Sequence, residues 1–107
     1  MADTQDLVFK SLADPTRRAL FERLCRDGTQ TVGALTLGTH VSQPVVSRHL
    51  QVLKAAGLVE DRRQGRETRY TARPAALDPL TDWARQMTVF WDGRIDALED
   101  ILKRMDQ

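Results

Sequence analysis

The stretch SQPVVSRHLQVLKAAGLV, residues 42–59, decides the fold of this chain. Ser42 is expected to cap a helix, because its side chain suits the position that precedes the first turn. Pro44 falls in that first turn, where no intrahelical N–H bond is lost. Three apolar residues at helical spacing form one stripe: Val46, Leu50 and Leu53. The pattern therefore predicts a helix over residues 42–56 with an apolar inner face.

The opposite face of this predicted helix carries small or hydrogen-bonding side chains and no acidic residue. An acidic side chain would be repelled by phosphates, whereas arginine and glutamine can each form two hydrogen bonds with a base in the major groove of DNA. For His49, a satisfied flanking histidine and a DNA contact are equally consistent with the sequence. Lys54 is expected to be solvated or to face a phosphate. The candidate DNA-binding residues of this helix are Ser42, Gln43, Pro44, Ser47, Arg48, His49, Gln51 and Lys54.

The flanking segments complete a winged helix-turn-helix pattern, with the helix-turn-helix over about residues 31–56 and the wing over about 58–72. The wing is predicted as two strands, 58–63 and 67–72, joined by a turn in which Gly65 is free to take a positive φ. The predicted fold is mainly α with a small β-hairpin, in the order α-α-α-α-β-β-α. The wing adds four candidate DNA-binding residues: Arg62, Arg63, Gln64 and Arg66.

The length of 107 residues predicts one domain over residues 1–107. A hydrophobic content of 41% is sufficient for this domain to form a core. No apolar run approaches the roughly 20 residues that cross a bilayer, and the first ten residues carry acids where a signal peptide needs bases. We therefore expect a cytoplasmic protein without a membrane partner.

Charge is distributed unevenly along the chain, although the net charge is only +1. Residues 42–73 hold seven basic and three acidic residues, whereas residues 74–107 hold four basic and seven acidic residues. The basic segment contains the helix predicted over residues 42–56, and such a localised basic patch is typical of a DNA-binding protein. The alternative interpretation is a solvated hairpin with ordinary surface arginines.

A long final helix is predicted over about residues 79–105, and a short first helix over about 4–13. The final helix would be about 40 Å long, whereas a compact domain of this size has a radius of gyration of about 13 Å. Its apolar stripe should therefore extend past its own core and be covered by a second copy of the chain. Packing on the monomer core is the alternative, which we favour for Trp83. The predicted homodimer contacts are Leu7, Val8, Phe9, Met87, Phe90, Trp91, Ile95, Leu98 and Leu102.

Three ordered motifs resemble the ArsR/SmtB family of bacterial winged helix-turn-helix repressors: LADPTRRALFERL (12–24), VSQPVVSRHLQVLKAAGLV (41–59) and RRQGRETRYT (62–71). The tail DWARQMTVFWDGRIDALE (82–99) is similar to the branch often encoded beside polyketide-cyclase-like or Hsp90-activator-like genes. The resemblance implies a homodimer built on the first and last helices, which presents two recognition helices to an operator. It also implies that a signal relieves repression. The chain departs from the family pattern at Gly38, which falls early, and at His40, which takes the turn position.

A conventional sensing site is not recognisable in the sequence. The long helix contains no histidine or cysteine, and its carboxylates alone do not suit a transition metal. Cys25 is expected to be a small buried hydrophobic residue rather than a thiol switch. No nucleophile with a base and no glycine-rich phosphate loop is recognisable. We therefore expect no catalytic residue, no metal ligand and no cofactor.

The leading hypothesis is thus a homodimeric repressor that binds double-stranded DNA at an inverted repeat. The sequence leaves open whether it represses or activates, and whether a small-molecule inducer acts on it. Two alternatives remain. One is a metal- or thiol-responsive repressor with a non-standard sensing site. The other is a protein-interaction module that retains the fold and uses its long apolar helix to hold a different partner.

Overall fold

A computed structural model describes residues 3–106 and contains five α-helices and a small sheet in that part of the chain. The elements are α1 (Thr4–Ala13), α2 (Pro15–Asp27), β1 (Gln30–Thr31), α3 (Val32–Thr36), α4 (Gln43–Ala55), β2 (Val59–Gln64), β3 (Glu67–Ala72), a 3₁₀ turn (Pro74–Leu77) and α5 (Asp78–Met105). This arrangement confirms the predicted fold class. The strand β1 and the 3₁₀ turn were not predicted, because elements this short carry no periodic pattern. None of the helices in residues 3–106 is long and apolar enough to span a membrane.

One core joins α1, α2, α3 and α4 to the base of the wing. Its buried apolar side chains are Val8, Leu20, Phe21, Leu24, Leu35, Val46, Leu50, Leu53, Ala56, Leu58, Val59 and Tyr70. The apolar stripe of α4 therefore faces inward, as predicted. The prediction that Val8 contacts a second copy is wrong, because Val8 is fully buried in its own protomer. Successive helical residues lie about 100° apart, so α1 directs Val8 inward while Leu7 and Phe9 stay 38% exposed.

The start of α4 differs from the prediction in one respect. Ser42 occupies the capping position with an extended backbone, but its side chain makes no capping hydrogen bond. Ser42 is therefore the N-cap residue of α4, as predicted, but its side chain does not bind a free N–H group of the first turn. Pro44 lies in the first turn as expected. The Ser42 hydroxyl is exposed and is not engaged by the helix that follows it.

The sheet is antiparallel with strand order β1-β3-β2, and its two longer strands form the wing. Gln64 pairs with Glu67, which leaves a two-residue turn in which Gly65 has a φ of 62°. Side chains alternate between the faces of a strand, and directly paired residues share a face. The wing therefore has an inner face towards α4, which includes the pairs Asp61–Tyr70 and Arg63–Thr68. Its outer face carries the pairs Glu60–Thr71, Arg62–Arg69 and Gln64–Glu67.

The early glycine of the helix-turn-helix has a clear structural reason. Helix α3 is only five residues long, and Arg23 of α2 reaches its end. Arg23 Nη1 donates to the carbonyl oxygen of Leu35 at 2.6 Å, and Nη2 donates to that of Ala34 at 3.2 Å. A Cβ atom at Gly38 would overlap the guanidinium group of Arg23. Leu37 is 89% exposed because α3 has already ended.

Helix α5 leaves the body of the protein. It has 28 residues, and none of them is buried. The described chain measures 75 × 29 × 22 Å and has a radius of gyration of 20.0 Å, well above the value of about 13 Å for a compact domain. Trp83 packs within its own protomer, as we favoured, but it does so against Phe9 of α1 at the edge of the body and remains 43% exposed.

Candidate nucleic-acid interface

The outer face of α4 is open to solvent and free of negative charge. Ser42, Gln43, Pro44 and Arg48 are exposed, and Ser47 is half-buried. The first turn of α4 contains no acidic residue. Because the free N–H groups and the dipole of a helix N-terminus favour anions, this end of α4 suits the approach of a phosphate.

An open cleft of about 400 Å³ separates the start of α4 from the tip of the wing. Its lining residues are Thr31, Val32, Gly33, Gln43, Ser47, Arg66, Glu67 and Thr68. The structure thus brings together three of the predicted contacts, Gln43, Ser47 and Arg66, on one concave surface. The contributions from Thr31 and the start of α3, and those from Glu67 and Thr68 of the wing, were missed, because no sequence pattern shows that these segments meet.

Two predicted DNA contacts of α4 are also used to hold the wing. Gln51 Nε2 donates a hydrogen bond to the hydroxyl oxygen of Tyr70 at 2.8 Å. Lys54 Nζ lies 3.0 Å from Asp61 Oδ1, so its charge is paired within the protomer. Burial raises the pKa of the Tyr70 hydroxyl, and the negative charge of Asp61 raises it further. Tyr70 therefore stays protonated at neutral pH and offers Gln51 a neutral acceptor.

Of the two alternatives for His49, the structure favours the flanking histidine. His49 is half-buried, and its Nδ1 lies 3.5 Å from Nη1 of Arg17. Arg17 also donates through Nε to the carbonyl oxygen of Ser11 at 2.9 Å. His49 is therefore directed towards the start of α2 and the end of α1 rather than away from the protein.

The predicted wing residues do not share one face. Arg63 lies on the inner face, opposite Thr68, which lines the cleft. Arg62 and Gln64 lie on the outer face, and Arg66 is in the turn at the tip. All four are exposed, so the wing presents positive charge on both sides of its tip. The turn at Gly65 fixes which residues of the two strands pair, and this register could have shown from the sequence which wing residues share a face.

The structure also shows the surroundings of the residues considered for sensing. In residues 3–106, no group of three or more histidine, cysteine, aspartate or glutamate side chains is placed to hold a metal ion. The expectation that Cys25 is buried is wrong: Cys25 is exposed, because the inward stripe of α2 is formed by Leu20, Phe21 and Leu24. Partial desolvation raises the pKa of the Cys25 thiol, and the negative charge of Glu22 adds to this effect.

Comparison with known proteins places this surface in context. A family described as a helix-turn-helix domain matches residues 12–62, which include α4 and most of β2. The HTH-type transcriptional regulator Rv2034 of Mycobacterium tuberculosis is 46% identical over 88 residues, which span 78% of this chain and 81% of that protein.

Two solved structures have the same architecture. An ArsR-like transcriptional regulator from Rhodococcus sp. RHA1 superposes with a TM-score of 0.77 at 34% identity, and the match covers 92% of each chain. The homodimeric winged helix-turn-helix DNA-binding domain of Mb0332 from Mycobacterium bovis, a possible ArsR-family regulator, has a TM-score of 0.63 at 32% identity. That match covers 81% of this chain and 78% of the other.

Proposed function

The chain belongs to the ArsR/SmtB family of winged helix-turn-helix transcriptional regulators, and from this we propose that it is a homodimeric repressor of an inverted-repeat DNA operator. The observation that carries the proposal is the outer face of α4, which is exposed, lacks acidic residues and adjoins a basic wing. A recognition helix enters the major groove with its N-terminal residues first. Ser42, Gln43 and Arg48 are therefore the proposed first contacts with bases and phosphates.

The individual contacts follow from the geometry and chemistry of the side chains. Arg48 can pair with two acceptors of a guanine, and Gln43 with an adenine. Ser47 is small and lets the backbone of α4 approach the groove. Arg63 and Arg66, on the inner face and the tip of the wing, would contact phosphates. Such contacts supply affinity without sequence preference and make it depend on salt.

The remaining predicted contacts take secondary places in this proposal. Arg62 and Gln64 would meet a neighbouring stretch of the DNA backbone from the outer face of the wing. Lys54 would add positive potential while it remains paired with Asp61. His49 has its place beside Arg17, so we propose that it supports α4 rather than contacts DNA.

The proposed homodimer would cover the apolar stripe of α5. A two-fold dimer presents the same surface from both copies and would place the two α4 helices about 34 Å apart, one turn of DNA. The homodimeric state of the Mycobacterium bovis relative supports this arrangement. The proposed contacts, now without Val8, are Leu7, Phe9, Met87, Phe90, Trp91, Ile95, Leu98 and Leu102, all of them exposed.

The proposal includes a non-enzymatic role in the cytoplasm, where the DNA partner lies, and no metal cofactor. The names of the relatives support the non-enzymatic role and the DNA partner, because these proteins are named as transcriptional regulators.

Selection of bound sequences from random duplex DNA by the purified protein tests the proposal. We expect enrichment of a short inverted repeat whose half-sites are one helical turn apart, with binding that weakens steeply as salt is raised. Failure to enrich any sequence would contradict the proposal. A stable complex with an unrelated protein, combined with no sequence preference on DNA, would favour the interaction-module alternative instead.

A further inference from the structure

We propose that Tyr70, a wing residue buried behind α4, determines base preference by orienting the side chain of Gln51. The inference rests on the proposed function of α4 as the recognition helix. It assigns Tyr70 a positioning role, because Tyr70 would act on DNA only through Gln51.

Tyr70 is held in a fixed place. It lies in the central strand β3, paired with Gln30 of β1 on one side and with Asp61 of β2 on the other. Only 2% of its surface is exposed, and its ring is part of the hydrophobic core. The hydroxyl group at the end of this ring is thus a stationary hydrogen-bond acceptor beneath α4.

Gln51 connects this acceptor to the exposed surface of α4 that is proposed to contact DNA. It lies one helical turn after Ser47 and two turns after Gln43, the residues of α4 that line the cleft. The residue is exposed, yet its Nε2 donates to the Tyr70 hydroxyl over 2.8 Å. The carboxamide is therefore anchored at its nitrogen while its other side faces solvent.

The anchored carboxamide has a defined hydrogen-bonding pattern. One N–H of Nε2 is engaged by Tyr70, which leaves the second N–H as a donor and Oε1 as an acceptor. In the major groove, adenine offers an amino donor at N6 and an acceptor at N7, which match this pair. Without the Tyr70 hydroxyl, the carboxamide can rotate and exchange its donor and acceptor. The same side chain then accepts several bases and must be ordered during binding, which lowers its preference for one base.

The test uses Tyr70→Phe, which removes the hydroxyl and keeps the ring. Wild-type protein first selects an operator from random DNA, and each base pair of that operator is then substituted in competition binding. We expect Tyr70→Phe to reduce the preference for adenine at one position of each half-site by about three- to tenfold, with the other positions unchanged. Gln51→Ala should remove the preference at the same position, and the double variant should match Gln51→Ala.

Lys54→Met is the matched control. It breaks the other link between α4 and the wing, the ion pair with Asp61, and leaves Gln51 and Tyr70 in place. We expect it to weaken binding to all sequences alike, with unchanged base preferences. If Lys54→Met relaxed the same position as Tyr70→Phe, a general loosening of the wing would explain the effect and the inference would be overturned.

A second measurement does not depend on the stability of the Tyr70 variant. In the NMR spectrum of the free wild-type protein, the side-chain amide of Gln51 is identified by its absence in Gln51→Ala. We expect an ordered amide, and an order parameter below about 0.6 would contradict the inference. If wild-type protein selects an operator and Tyr70→Phe keeps every base preference, the inference fails while the proposed function stands. If wild-type protein selects no operator, the proposed function itself fails.

Discussion

The ring of Phe9 in α1 meets the ring of Trp83 in α5 edge to face, with centroids 5.4 Å apart and planes at 84°. Such a pair contributes about 0.5–1.5 kcal/mol beyond the area it buries. Both rings remain more than a third exposed, so the pair joins the first and last helices without closing the surface around them. Helices α1 and α5 therefore form one unit with an uncovered apolar stripe.

The first prediction concerns this stripe. Leu98 is 56% exposed and lies in the stripe of α5, so Leu98→Glu would place a charge in the proposed dimer interface. We expect the dimer dissociation constant to rise at least about 30-fold, the effect of a central interface residue, as measured by analytical ultracentrifugation.

Val89 supplies the control for the dimer prediction. It is 61% exposed but lies nine residues from Leu98, which places it on the opposite side of the same helix. Val89→Glu should leave the dimer intact. If the two variants dissociated equally, or if neither did, the stripe would not be the dimer interface.

The second prediction concerns DNA affinity. Arg48→Ala should weaken binding to the selected operator by about 1–3 kcal/mol, because a bidentate contact with a guanine would be lost. Arg63→Ala should weaken binding moderately, to a similar extent on all sequences, and should lower the salt dependence by the equivalent of about one phosphate contact. Fluorescence anisotropy over a series of salt concentrations measures both effects.

Arg85→Ala is the control for the loss of positive charge. Arg85 is an exposed arginine of α5, and its Nη1 lies 3.7 Å from Oδ1 of Asp82. Helix α5 is assigned to the dimer interface rather than to DNA. We expect the removal of Arg85 to leave operator affinity within about twofold of the wild type. Unchanged affinity in Arg48→Ala and Arg63→Ala would refute the assignment of these residues.

The third prediction concerns the helix-turn-helix itself. Gly38→Ala should displace Arg23 and break its two hydrogen bonds to the end of α3, at a cost of about 1–3 kcal/mol in the free energy of unfolding. Denaturant unfolding measures this change. Because both changes remove the same interaction, Gly38→Ala combined with Arg23→Ala should cost little more than Arg23→Ala alone.

Gly33→Ala is the matched control within α3. A Cβ atom at Gly33 would meet only Thr31 Oγ1 at 3.9 Å, an ordinary contact. Since alanine favours a helix over glycine by about 1 kcal/mol, this variant should be neutral or more stable. Additive losses in the Gly38 and Arg23 double variant would show that the glycine acts for another reason.

The fourth prediction concerns pH. Asp14 Oδ1 accepts a hydrogen bond from the backbone N–H of Arg17 at 3.0 Å and so caps α2. This hydrogen bond lowers the pKa of the Asp14 carboxyl below its ordinary value of 3.8, and the charge of Arg17 lowers it further, against an opposing effect of burial. A lowered pKa in the folded state contributes stability that is present above pH 3.8 and is lost as the pH falls through the folded value.

Unfolding free energies at several pH values test this expectation. At pH 7, Asp14→Ala should cost about 0.5–2 kcal/mol, the usual loss for a helix cap. Asp14→Asn keeps an acceptor without the charge, so its difference from the wild type should shrink as the pH falls below 3.8. A difference that stays constant with pH would show that the carboxylate charge contributes nothing.

Much of the architecture could be predicted because it depends on neighbours along the chain. Helical spacing identified the inward stripe of α4 and the long apolar stripe of α5. The turn at Gly65 followed from the need for a residue that tolerates positive φ. The same reasoning erred for Val8, where three successive apolar residues were assigned to one face although a helix spreads them over about 200°.

The roles of individual polar side chains could not be predicted in the same way. Gln51 and Tyr70 are 19 residues apart, and Arg17 and His49 are 32 residues apart, yet each pair is in contact. Each of these polar side chains could equally well form hydrogen bonds with water. The sequence around one residue of a pair therefore does not reveal which residue is its partner. The burial of Tyr70 and the position of α2 decide these contacts.

By itself, the sequence determined the order of the five α-helices and the two wing strands, the apolar sides of α4 and α5, and the position of the wing turn, because each of these follows from local spacing and backbone preference. Only the tertiary structure decided which polar side chains of α4 are engaged within the protomer and which remain exposed. Hydrogen bonds and ion pairs depend on atoms that come within about 3 Å of each other, and folding alone brings distant segments that close.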